Sequence, residues 1–199
     1  MTTTGSILEE LGAFIQELEI LDSHEHLPME ANRSPDTDVL TEWLSHYFSC
    51  DLVSAGLSDA GLVQARDSSG NLLKRWALVE PYWEAARSTG YGRALDLAAR
   101  GVYGIDGVRR QTIGELNDAF TAARAAGGHY HRVLKEKSRI ALSVVDSCLA
   151  CDREFFASTF RLDSFIMPTH RRDIRNAGRE VDLEVHTLGD WEEALERRL

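Results

Sequence analysis

The stretch Leu18-Glu19-Ile20-Leu21-Asp22-Ser23-His24-Glu25-His26 decides how the chain is read. Leu18 to Leu21 predicts a short strand, and side chains at i and i+2 of a strand project to one face. His24 and His26 are therefore expected to leave the strand's C-terminal end together. Two imidazoles side by side at a strand terminus make half of a metal site. Asp22 precedes them on the same face and is a candidate to orient one imidazole from behind.

On either side of this stretch the pattern is helical. Ile7, Leu8, Leu11, Phe14, Ile15 and Leu18 recur at helical spacing, and Ser6 with Glu9 fits a capping box. Leu27 to Pro35 reads as loop. Asp36 to about Arg110 carries helical patterns and almost no strand pattern. One apolar face runs from Val39 to Phe48 and another from Leu72 to Trp83, with Pro81 expected to kink or divide the second. The tryptophans in this region read as packing between helices. A further helix starts near Thr112, is interrupted at Gly127-Gly128, and resumes from His129 to Lys137.

Arg139 to Asp146 is short, apolar and β-branched, the pattern of a buried strand. Arg161 to Pro168 reads as a third strand, and the charged tail as helix. Strands alternating with helices predict an α/β fold with a parallel sheet or barrel. The helical segment at 29–110, longer than an ordinary crossover, reads as an insertion over the end of the first strand.

Composition narrows the function classes. The chain has 199 residues, 43% hydrophobic and 27% charged, an ordinary globular balance. A net charge of -10 argues against nucleic acid or an anionic membrane as partner. No apolar run approaches the roughly 20 residues that span a bilayer, and the N-terminus lacks the pattern of a secretory signal. Three cysteines in an acidic chain fit a cytoplasmic location. Cys148 and Cys151 have C-x-x-C spacing without a second such pair, and read as small apolar residues.

The other histidines are weaker candidates. His129 and His131 repeat the H-x-H spacing, but on a helix i and i+2 diverge by about 200°. His46 and His186 lie in helical surroundings. His170 follows the third expected strand in Thr169-His170-Arg171-Arg172-Asp173, where an arginine could hold a substrate carboxylate.

Leu21-Asp-Ser-His24-Glu-His26-Leu-Pro-Met-Glu30, followed by a long helical segment, resembles the amidohydrolase superfamily, and within it the branch near uronate isomerase. Trp76 to Arg87 looks like that branch's insertion, and Phe165 to Asp173 like the turn after its third barrel strand. The resemblance implies a (β/α)8 TIM barrel, of which about three β/α units would be present here. It implies that His24 and His26 bind a divalent metal, most commonly zinc, and that Arg171 contacts a small-molecule substrate. It also implies hydrolysis by metal-activated water, with decarboxylation or isomerisation as alternatives. No catalytic residue is assigned.

A closed barrel takes about 250 residues, so residues 1–199 are expected to form one incomplete domain, inactive alone. A complementing C-terminal segment or a homo-oligomer would then supply the remainder. The alternative is a non-catalytic fragment or interaction module that uses an exposed sheet edge and the helical insertion to find partners.

Overall fold

The computed structural model describes residues 4–34, 37–146, 151–159 and 162–199. Helix α1 (Thr4–Glu17) precedes strand β1 (Ile20–Glu25), and a 3-10 turn (Glu30–Asn32) follows. Then come α2 (Val39–Trp43), α3 (Phe48–Ser54), α4 (Asp59–Arg66), α5 (Leu72–Ala86), α6 (Gly90–Gly101) and α7 (Ile113–Ala125). A π-helical stretch (His131–Lys137) leads to β2 (Ile140–Val145) and β3 (Phe156–Ser158). The chain continues through α8 (Asp163–Ile166), α9 (Arg171–Glu180) and α10 (Leu188–Arg198). Contacts divide it into two compact units, Met1–Ile20 with Pro28–Ala141, and Leu21–Leu27 with Leu142–Leu199. Among the described residues no helix is long and apolar enough to cross a membrane.

The first unit is a helical cluster. Side chains of Asp38, Ser58, Asn71 and Thr89 accept the N3 amides of α2, α4, α5 and α6 at 2.9–3.1 Å. Each such cap satisfies an amide that the helix cannot. Trp76, Trp83, Phe48, Phe120, Leu52 and Leu116 fill the interior, with Phe48 edge-on to Trp83 at 5.1 Å. The tryptophans here are packing residues: Trp76 and Trp83 are buried and Trp43 packs against the same cluster.

Two local expectations change. The Val39–Phe48 face is split between α2 and α3 by the turn around Leu44 to Tyr47. Helix α5, by contrast, runs unbroken through Pro81. Proline removes the N–H that would bond the carbonyl of Ala77. Pro81 and Ala77 both lie on the exposed face, where water can take that carbonyl.

The sheet has three strands in the order β1-β2-β3. β2 and β3 are parallel, pairing Ser143 with Phe156 and Val145 with Ser158. β1 is parallel to β2 as well: Ile20 N–H donates to Arg139 O at 3.0 Å, and Asp146 N–H to Glu25 O at 3.1 Å, so both strands advance together. This corrects the fold expected from the sequence. The described residues form a small open three-stranded sheet and are otherwise mostly helical, not a TIM barrel or a series of three β/α units. No helix lies in the described part of the β2–β3 connection.

The third strand also lies elsewhere. Asp163–Ile166, inside the run read as a strand, is helical, and Phe156–Ser158 is the strand. Leu162 and Phe165, three apart, pack with Ala177, Ala194 and Trp191 in the core of the second unit. That spacing suits a helical turn, while Ile166 and Met167 stay exposed.

One buried ion pair organises the helical cluster. Arg75 is 3% exposed. It pairs with Asp38 and donates to Ala65 O, at 3.1 Å, and to Gly70 O, also at 3.1 Å. Burial opposes the Asp38 charge, but the Arg75 hydrogen bond and the Thr41 amide outweigh it and hold its carboxyl below the usual range. Asp38→Ala is expected to destabilise the protein by about 3–5 kcal/mol, because it strands a buried guanidinium. In urea unfolding, the double variant Asp38→Ala/Arg75→Met should lose less than the sum of the single variants.

Candidate functional site

His24 closes β1 one residue before its end, and His26 follows the strand. Both are exposed. Their Nε2 atoms lie 2.9 Å apart, with ring centroids at 4.6 Å and planes at 88°. The i, i+2 expectation is met in its geometry: the strand end turns both imidazoles to one point. As a neutral pair, one Nε2–H donates and the other Nε2 accepts. The same convergence suits a shared cation. Zinc–imidazole bonds of about 2.0–2.1 Å at a tetrahedral angle place two donors about 3.3 Å apart. The observed separation differs from that by an amount small side-chain rotations accommodate.

The neighbouring carboxylates act on the backbone. Asp22 Oδ1 accepts the His24 amide at 3.2 Å, and Glu25 Oε1 the His26 amide at 2.7 Å. The hydrogen bond found for Asp22 is thus to a main-chain amide, where an imidazole was expected. Short acidic side chains commonly satisfy a nearby amide in this way. The two contacts shape the strand end that presents the histidines. Among the described residues, no group of three or more His, Cys, Asp or Glu side chains is placed to hold a metal ion.

Arg171 opens α9 and is exposed. It makes no hydrogen bond or ion pair with either imidazole among the described residues. The turn before it is held by Asp173, whose Oδ2 accepts the amides of His170 at 2.8 Å and Thr169 at 3.1 Å. Those bonds, the His170 amide foremost, hold the Asp173 carboxyl below its usual range. Cys151 is half-buried, its thiol 3.7 Å from Phe156 O, while Cys148 lies outside the described residues.

The second H-x-H is not a chelate. His131 is exposed and lies 3.3 Å from Glu136. His129 is half-buried, and its Nδ1 accepts from Arg132 Nη2 at 3.2 Å. Burial, then the charges of Arg33 and Arg132, push its pKa down to about 4. Glu30 faces the same helix start. Its two oxygens accept the amides of His129 at 2.6 Å and Tyr130 at 3.0 Å. Burial works against that carboxylate, but the Tyr130 and His129 amides outweigh it and keep its pKa low. Sequence reasoning missed this cluster, because Arg33 is far along the chain from Arg124 and His129 and only the fold brings it to their cavity.

Neither protein-family models nor curated proteins give a match to this chain.

The low His129 pKa has a defined effect on stability. Above pH 6.5, its ordinary value, the ring is neutral folded or unfolded and contributes nothing. Between 6.5 and about 4 the unfolded chain takes up a proton that the folded chain refuses, so stability falls as pH falls. Glu30 acts in the same direction at lower pH: its stabilisation is present above its ordinary value of 4.5 and is lost as pH drops through its lower folded value. In denaturant titrations, His129→Gln should remove the decline between 6.5 and about 4 and leave the more acidic decline in place.

Proposed function

We propose that His24 and His26 are two ligands of a divalent cation, zinc by preference, in a hydrolase of the amidohydrolase type. The observation that carries this reading is the convergence of the two Nε2 atoms at 2.9 Å on an exposed strand end. Location adds support. In open parallel sheets, ligands sit beyond the carboxyl ends of the strands. Asp22 and Glu25 hold the backbone that aims the imidazoles. What the cation supplies is Lewis acidity and a water made nucleophilic near neutral pH. Arg171 is assigned to a carboxylate of a small-molecule substrate, through the planar fork of its guanidinium.

Competition with a chromogenic chelator tests the metal assignment. One equivalent of zinc should bind the chain, and His24→Ala/His26→Ala should weaken binding by about a hundredfold while far-UV circular dichroism stays unchanged. Equal zinc affinity in the double variant would overturn the assignment. With zinc loaded, hydrolysis of carboxylate-bearing amides and esters should vanish in the same variant. Arg171→Met should raise KM with kcat held.

A second reading, a self-associating module without catalysis, is favoured by α1. Ile7, Leu11 and Phe14 of this helix, with Leu18 just after its end, are between 43% and 60% exposed. Their 4-3-4 spacing is that of a helix-pairing seam. This reading commits to a second copy of the chain as occupant. Sedimentation should then show concentration-dependent dimers that Leu11→Glu/Phe14→Glu abolishes, with zinc affinity unaltered.

A further inference from the structure

We infer that a cavity in the helical unit, lined by Arg33, Arg124 and His129, binds a small organic anion through a carboxylate or phosphate group. The cavity is about 380 Å³, a size suited to small ligands. Its walls include the short side chains of Ala31, Thr121 and Ala125, which leave room beside the cationic groups. It involves neither His24 nor His26.

The charges around it are already partly committed, and what remains is positive. Glu30 spends both oxygens on the His129 and Tyr130 amides. Glu42 pairs with Arg33 and forms a longer ion pair with Arg124, its Oε2 3.6 Å from Nη1 and beyond hydrogen-bond distance, so one carboxylate is shared between two guanidinium groups. Arg124 Nη2 donates to Ser34 O. Its Nη1 is buried without a hydrogen-bond partner among the described residues, on a side chain 11% exposed. A buried guanidinium N–H left unsatisfied is costly, and an oxyanion is its strongest complement.

The donors are also held in place. The Arg124 guanidinium lies over the Phe120 ring at 5.5 Å, and that of Arg33 over Tyr130 at 5.6 Å. Arg132 donates to His129 Nδ1, which leaves the proton of the neutral ring on Nε2 as a further donor. Fixed, partly desolvated donors lose little freedom when an anion arrives.

The test follows arginine Nε–Hε signals of the full chain by NMR. Inorganic phosphate and succinate are titrated separately, with sodium chloride balancing ionic strength. At least one anion should shift the Arg124 signal saturably. Saturation by phosphate alone assigns a phosphate ligand, by succinate alone a carboxylate ligand, and by both the shared oxyanion chemistry. Ala125→Phe, at an exposed wall position, keeps every Arg124 contact and should weaken binding by about tenfold or more by occupying the space. Arg124→Met should weaken it similarly and Arg124→Lys less. Non-saturating shifts with both anions, or unchanged affinity in Ala125→Phe, would overturn the proposal. None of these readouts depends on zinc or on the histidine pair.

Discussion

The Glu30 carboxylate, accepting the amides of His129 and Tyr130, ties the loop after β1 to the helical turn before β2. Tyr130 reinforces the tie by donating its hydroxyl to Pro28 O at 2.6 Å. The elements described between these points are all helices, and they close on their own core. The tie therefore brings the two ends of a long excursion together. It also places His129 beside Arg33, which gives the anion cavity its form. A half-buried carboxylate tolerates this position because the two amides it caps compensate the water it loses.

The sheet and the helical unit differ in how they are stabilised. The helical unit has aromatic and aliphatic side chains packed from several helices, plus the buried Asp38–Arg75 pair. The sheet has one well-buried strand, β2, in which Ser143 and Val145 are covered. β1 is exposed over most of its length. The histidine pair thus stands on the less protected part of the molecule. That position suits ligand access and leaves its backbone dependent on the short-range contacts of Asp22 and Glu25.

Much of this order is legible in the residues themselves. The run after Arg139 reads as a strand because it is short, apolar and rich in β-branched residues, a combination that suits a buried strand better than a helix. The i, i+2 spacing of His24 and His26 places both rings together wherever that segment is extended. The barrel expectation rests on the alternation of strands and helices and on resemblance around this motif, and the motif constrains only one strand end. The third strand escapes notice because Phe156-Ala-Ser158 is too short to show alternation. The Leu162–Phe165 run misleads because a few apolar residues fit strand and helix alike until a partner surface selects one. Pro81 misleads for a related reason: its effect depends on whether the carbonyl it frees meets water. The anion cavity has no local signature at all.

The Glu30 tie has a kinetic consequence. β1 and β2 are neighbours in the sheet but are separated along the chain by the whole helical excursion. Closing so long a loop costs entropy that grows with the logarithm of its length. Once Glu30 meets the His129 amide, the effective loop shrinks to the few residues beyond the tie at either end. With that contact in place, strand pairing becomes a nearly local event, which lowers its entropic cost. His24 and His26, two residues apart, need no such closure to approach one another, so their pairing can precede the sheet that later fixes their direction.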